Sequence, residues 1–156
     1  FYTISFTFEN TMISISKKLF CAIEAVLFTA CNGGVQPVGS KAIAERLGVT
    51  PRYLEQMMQK LVHAGILRGV RGPKGGYLLA RERRRITLDD ICRILQEEET
   101  TVPDTDTGRH ILMPIARELE KTLAGKLADI TIADLCKQDT GTLANTPGEK
   151  RMDFTI

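Results

Sequence analysis

Six polar side chains with the reach to touch a nucleic acid crowd one stretch of this 156-residue chain. Arg52, Tyr53, Gln56, Gln59, Lys60 and His63 are spaced so that a helix gathers them on one face, opposite an apolar stripe of Leu54, Met57, Met58, Leu61 and Val62. Glutamine and arginine can pair bidentately with base edges, and lysine and tyrosine can hold phosphates. A merely solvated helix face is more often rich in Glu and Lys pairs. This one carries a single acid, Glu55. A few residues on, Arg71-Gly72-Pro73-Lys74-Gly75-Gly76 joins two cations to three glycines. Glycines let a backbone approach phosphates or a groove closely, and cations supply counterion release.

Other chemistries find no comparable setting. His63 and His110 have no companions at metal-ligand spacing. The adjacent acids Asp89 and Asp90 read as a helix start, and Glu97 to Glu99 as a solvated run. With no activated nucleophile and no nucleotide loop, an enzyme is not expected. Cys21, Cys31, Cys92 and Cys136 lie far apart, and no C-x-x-C occurs. Reduced thiols in a cytoplasm are the default, and buried structural cysteine is the plain reading of all four. Cys21 is the candidate if one thiol is redox-active. Cys21 and Cys31, ten residues apart on one helix, face different directions.

Charge isolates the same region. The net charge is only +2, but residues 40–85 carry 11 Lys and Arg against 3 Asp and Glu. Residues 86–156 carry 8 against 14. One part of the chain is suited to a polyanion and the other is not. No apolar run approaches the roughly 20 residues that span a bilayer. Lys17 and Lys18 ahead of residues 19–30 mimic a signal peptide, but Glu24 interrupts that stretch and it reads as a helix.

The elements that must position these residues follow from local signals. Residues 16–31 read as a first helix, ended by Asn32-Gly33-Gly34. Gly39 or Ser40 opens a second, with Ile43, Ala44 and Leu47 inward and Gly48 as its stop. Thr50-Pro51 starts the third, with a hydroxyl cap and a proline in the first turn, and Gly65 ends it. Small, turn-glycine and apolar positions at Ala44, Gly48, Leu54 and Met57 make the second and third a helix-turn-helix. Residues 66–70 and 77–80 form a hairpin around the glycine-rich tip, with Arg81, Arg83, Arg84 and Arg85 at its base. Thr87 caps a further helix whose apolar face is Leu88, Ile91, Ile94 and Leu95.

Leu112, Ile115, Leu119, Leu123, Leu127 and Ile130 then step by three or four, an amphipathic helix of about six turns with one narrow stripe. Pro114 requires that this helix begin near it or kink there. Thr131 caps a last short helix over residues 132–137. The expected organisation is an extension at 1–11, a winged helix-turn-helix head at 12–96, a linker at 97–108, a dimerisation helix with a short C-terminal helix at 109–138, and a flexible tail at 139–156. The fold class is mainly α, with a small β-hairpin wing.

Four stretches, IAERLGVTPRYLEQMMQKLVHAGIL, VRGPKGGYLLA, ITLDDICRIL and ITIADL, resemble the IscR-like Rrf-two family of bacterial transcriptional regulators. The resemblance covers residues 12 to about 138. It implies a cytoplasmic homodimer on an imperfect palindrome of double-stranded DNA, acting as a repressor. It also implies base and phosphate contacts by Arg52, Tyr53, Gln56, Gln59 and Lys60, and groove insertion by Arg71, Gly72, Lys74 and Gly75. The lone stripe of the long helix independently calls for a partner. Several such relatives hold an iron–sulfur cluster through three closely spaced cysteines. The corresponding stretch here, EEETTVPDTDTGRH, has none, so no cofactor or metal is expected unless ligands are borrowed across a dimer. Two other readings stay open: a protein-interaction module using the winged head, and a thiol-based redox-sensing regulator. The effector, whether a small molecule or a protein, is unknown.

Overall fold

Local start and stop signals divide the first half of the chain into helices. The computed structural model describes residues 16–95, 105–139, 141 and 143. The extension at 1–11, the linker at 97–104 and most of the tail lie outside the described residues. Helix α1, Lys17–Asn32, begins at Ser16, whose side chain accepts from the Leu19 amide. Helix α2, Ser40–Leu47, stops at Gly48, which sits at φ 61°, a left-handed conformation that costs glycine little. Helix α3, Pro51–His63, starts at Thr50, whose hydroxyl accepts from the Tyr53 amide. The apolar sides of these helices meet in one core: Val26, Ile43, Leu54, Met57, Met58 and Leu61 are fully buried.

Strands β1, Leu67–Val70, and β2, Gly76–Leu79, pair antiparallel from Leu67 opposite Leu79 to Val70 opposite Gly76. A third piece joins this wing. Val38, just ahead of α2, exchanges two 2.9 Å backbone hydrogen bonds with Tyr77. The approach is so close that a Cβ at Gly76 would lie 2.2 Å from the Val38 carbonyl oxygen. After a short turn at Arg83–Arg85, helix α4, Leu88–Leu95, buries Ile91 and Leu95 in the same core.

The second half departs from expectation in three places. The linker was expected to extend to Gly108, but the helical arm is already under way at Asp106. A π turn, Gly108–Leu112, leads into α5, Met113–Ala128. The Met113 amide donates to the Gly108 carbonyl, and the wider turn precedes Pro114, which has no amide of its own to donate. Ile130 was counted on the long helix, but it lies beyond α5, in the segment that returns to the head. There its carbonyl accepts from the Leu88 amide. Finally, α6, Ile132–Gln138, had been grouped with the dimerisation helix, yet it packs on α1 and buries Ile132 in the core of the head.

The Gly76 contact yields a direct test. Gly76→Ala should destabilise the fold by about 2 kcal/mol or more, because backbone must move to admit the methyl. Gly69→Ala, where an added Cβ meets nothing within 4 Å, should change little. Urea unfolding of the two variants measures the difference.

Candidate nucleic-acid interface

The core side of α3 determines what its other side offers. With Leu54, Met57, Met58 and Leu61 buried, the helix turns Arg52, Gln56, Gln59, Lys60 and His63 outward, all exposed, with Tyr53 half-buried. Tyr53, Gln56, Gln59 and Lys60 border an open groove of about 1130 Å³. Lys17 and Lys18, from the start of α1, line it with them. These two lysines were not among the expected contacts. Their signal was present as a cationic pair, but it lay outside the basic block and read as the flank of an apolar helix. Arg52 is exposed on the first turn of α3 and does not border this groove. Gln59 donates to Glu55 at 3.4 Å, so the one acid of the face engages one of its two amide side chains.

The wing forms a second exposed set. Arg71, Gly72 and Lys74 are exposed and Gly75 is half-buried. The Gly75 amide donates to the Gly72 carbonyl at 2.9 Å, closing the tip. A Cβ at Gly75 would stand 2.3 Å from the Val70 oxygen, so glycine there is a requirement of the turn itself. The wing tip does not border the α3 groove, so the two sets are separate patches on one head. Arg81 holds the base: its Nε donates to the Gly65 carbonyl at 3.2 Å, and its guanidinium lies 4.0 Å from Asp90. Arg46 likewise serves the fold, 3.5 Å from Glu24 and 5.9 Å from the Phe28 ring centroid. Arg46 and Arg81 of the basic block are therefore engaged within the head, and Lys41 lies 3.9 Å from Glu45 on α2.

The arm carries its stripe on the outside. Leu112, Ile115, Leu119 and Leu123 are 58%, 53%, 61% and 47% exposed, and Leu127 is half-buried. Ile111, 57% exposed, widens the stripe and had been overlooked. So much uncovered aliphatic surface on one helix marks an interaction site. Among the described residues, no helix is long and apolar enough to cross a membrane.

Comparison with known proteins agrees with this architecture. Residues 15–138 match the model of the family Rrf2, described as an iron-dependent transcriptional regulator. The chain is 31% identical over 127 residues to the HTH-type transcriptional regulator IscR of Klebsiella pneumoniae, covering 78% of each protein. It is similar to the solved structure of T. potens IscR, with a TM-score of 0.68, 31% identity and coverage of 90% of this chain and 94% of the other. The structure of CymR, the global cysteine regulator of B. subtilis, follows at a TM-score of 0.64 and 29% identity, covering 82% and 99%.

The residues present do not fit an iron–sulfur cluster held by three neighbouring thiolates. Cys92 is half-buried on α4 and the next cysteine in the sequence is Cys136. Among the described residues no three His, Cys, Asp or Glu side chains converge to hold a metal ion. Cys136 instead meets Cys31. Cys21, the redox candidate of the sequence reading, is packed into the core at 5% exposure. Burial pushes its thiol up, and Glu24 adds to this while Lys17 opposes it. Cys92 is raised by burial and by Asp89. A raised pKa delays thiolate formation to higher pH than in a free thiol, so at neutral pH both stay protonated. In the native protein, Cys21 should therefore react with iodoacetamide at least about tenfold more slowly than free cysteine. Raising the pH from 7 to 8.5 should not close the gap. Site-resolved mass spectrometry of the alkylated protein measures both.

Proposed function

The chain belongs to the Rrf2 family of transcriptional regulators, and on that premise we propose that it acts as a homodimeric repressor on a palindromic operator. DNA-binding transcription regulation is the activity of the family, which is one of regulators and not of enzymes. The finer reading rests on one observation above the rest. An outward face of amide and cationic side chains on α3 stands on a head whose arm leaves an aliphatic stripe uncovered.

In this reading α3 enters the major groove. Gln56 and Gln59 meet base edges, with Arg52 beside them, and Tyr53 and Lys60 hold the flanking phosphates. Lys17 and Lys18, across the groove from Lys60, add phosphate contacts from α1. Arg71 and Lys74 carry the wing tip against a neighbouring backbone or minor groove, with Gly72 and Gly75 allowing the approach. A second copy covers Leu112, Ile115, Leu119, Leu123 and Leu127. Two arms pairing by an isologous contact would present two recognition helices related by a two-fold axis, which is what a palindrome matches. Bound DNA of this kind would repress by occupying a promoter.

Capture of genomic fragments on the purified protein, followed by sequencing, tests the reading. A few enriched sites sharing a palindrome are expected. The Lys60/Arg71/Lys74→Ala variant should lose that enrichment. On a captured site it should also flatten the dependence of log affinity on log salt by about 1 for each phosphate contact removed. Equal binding by variant and wild type would assign the head to another partner. Leu119→Glu with Leu123→Glu should leave the helical content of the head intact, halve the mass seen by sedimentation and weaken binding to the full palindrome far more than to a half-site. An unchanged mass would show that these residues do not join the protomers.

A further inference from the structure

Two thiols far apart in sequence meet in the fold. Cys31, in the last turn of α1, donates a hydrogen bond to Cys136 on α6 with the sulfurs 3.0 Å apart, across a separation of 105 residues. The two helices pack together, and each has buried side chains: Phe28 and Thr29 on α1, Ile132 and Ala133 on α6. A disulfide needs roughly 2.05 Å between its sulfurs, so closure asks for a movement of about 1 Å, within reach of small side-chain rotations. The two sulfurs differ in surroundings. Cys136, half-buried, borders a surface pocket of about 410 Å³ together with Ala133 and the cations Arg83, Arg84 and Lys137. Cys31 is half-buried as well and does not border that pocket. Burial, the hydrogen bond to Cys136, the charge of Cys136 and that of Asp139 push the Cys31 pKa up to about 12, against a smaller lowering by Arg83. Cys31 thus keeps its proton and acts as the donor of the pair. Cys21 and Cys92 have no sulfur partner of this kind among the described residues.

We propose that Cys31 and Cys136 are a redox couple, closed by a peroxide into a reversible disulfide that staples α6 to the head. The Cys136 sulfur attacks one peroxide oxygen. The O–O bond breaks, water leaves and Cys136 becomes a sulfenic acid. The Cys31 sulfur then attacks the Cys136 sulfur. The S–S bond forms as the S–O bond breaks, and the departing hydroxide takes the Cys31 proton to leave as a second water. The two thiols lose two electrons and two protons, and the peroxide gains both. Reduction by a small-molecule thiol reopens the pair. The staple spans most of the chain, including the arm, so it constrains the unfolded state strongly while asking little movement of the folded one. This couple does not depend on the DNA-binding reading.

The test uses the full reduced chain. It is treated with a small excess of hydrogen peroxide, quenched, and alkylated under denaturing conditions. Intact mass and peptide mapping should show two of the four cysteines protected, joined as a Cys31–Cys136 peptide within one chain and released by dithiothreitol. Tm should rise by at least about 5 °C on oxidation and fall back on reduction. In Cys31→Ser the reaction should stop at the Cys136 sulfenic acid, trapped by a dione reagent. Four alkylatable thiols after peroxide would overturn the proposal. So would a wild-type protein that accumulates sulfenic acid without the cross-link, or a cross-link that joins other cysteines or two chains. The wild-type map decides the matter even if the serine variant folds poorly.

Discussion

A two-residue backbone bridge holds the two halves of this molecule together. Thr87 and Thr131 pair antiparallel; the Leu88 amide donates to the Ile130 carbonyl at 3.0 Å, and the Ile132 amide to the Ile86 carbonyl at 2.9 Å. A helix departs from each side. Thr87 and Asp90 cap α4 by exchanging hydrogen bonds, and Thr131 and Asp134 cap α6 in the same way. The Thr131 contacts and Lys137 hold Asp134 below the usual carboxylate value. Ile86 and Ile132, flanking the bridge, are both fully buried. The polar backbone of a chain crossing into the core is thereby paired, and its apolar side chains add to the head.

The rest of the arm's placement depends on this bridge. Helix α5 ends at Ala128, two residues before Ile130 is held to α4, so its last turn is anchored to the head. It also packs beside α4, although it contributes no buried residue. Its direction is set by this packing on α4, by the bridge and by α6 on α1. The Cys31–Cys136 contact lies between α1 and α6, so a covalent link there would fix α6, the helix that follows the bridge, to the rest of the head.

Much of the head was legible in the sequence because its signals are local. The Thr50-Pro51 start, the Gly48 stop and the Thr87 and Thr131 caps each act within one turn of helix, and each stands where it was read. The separation of the α3 stripe from its polar face is likewise a property of helical periodicity. The same reading stumbled wherever residues distant in sequence share a contact. Val38 pairs with Tyr77 although nothing around Val38 resembles a strand. Arg81 reads as one more cation of the basic block until its bond to the Gly65 carbonyl is seen. Lys17 and Lys18 join the groove only because α1 begins beside the far end of α3.

The sequence by itself determined most of the helices, which turn is a wing and which face of α3 meets solvent. Those properties follow from periodicity, caps and composition within a few residues. The tertiary structure alone decided that α6 belongs to the head, that Ile130 leaves the arm to pair with α4, that Cys21 is buried, and that Cys31 and Cys136 touch. Each of these depends on how separate helices pack. A cysteine on a helix carries no local mark of what will lie against it, because its partner is chosen by the burial of apolar neighbours such as Phe28 and Ile132, more than one hundred residues apart.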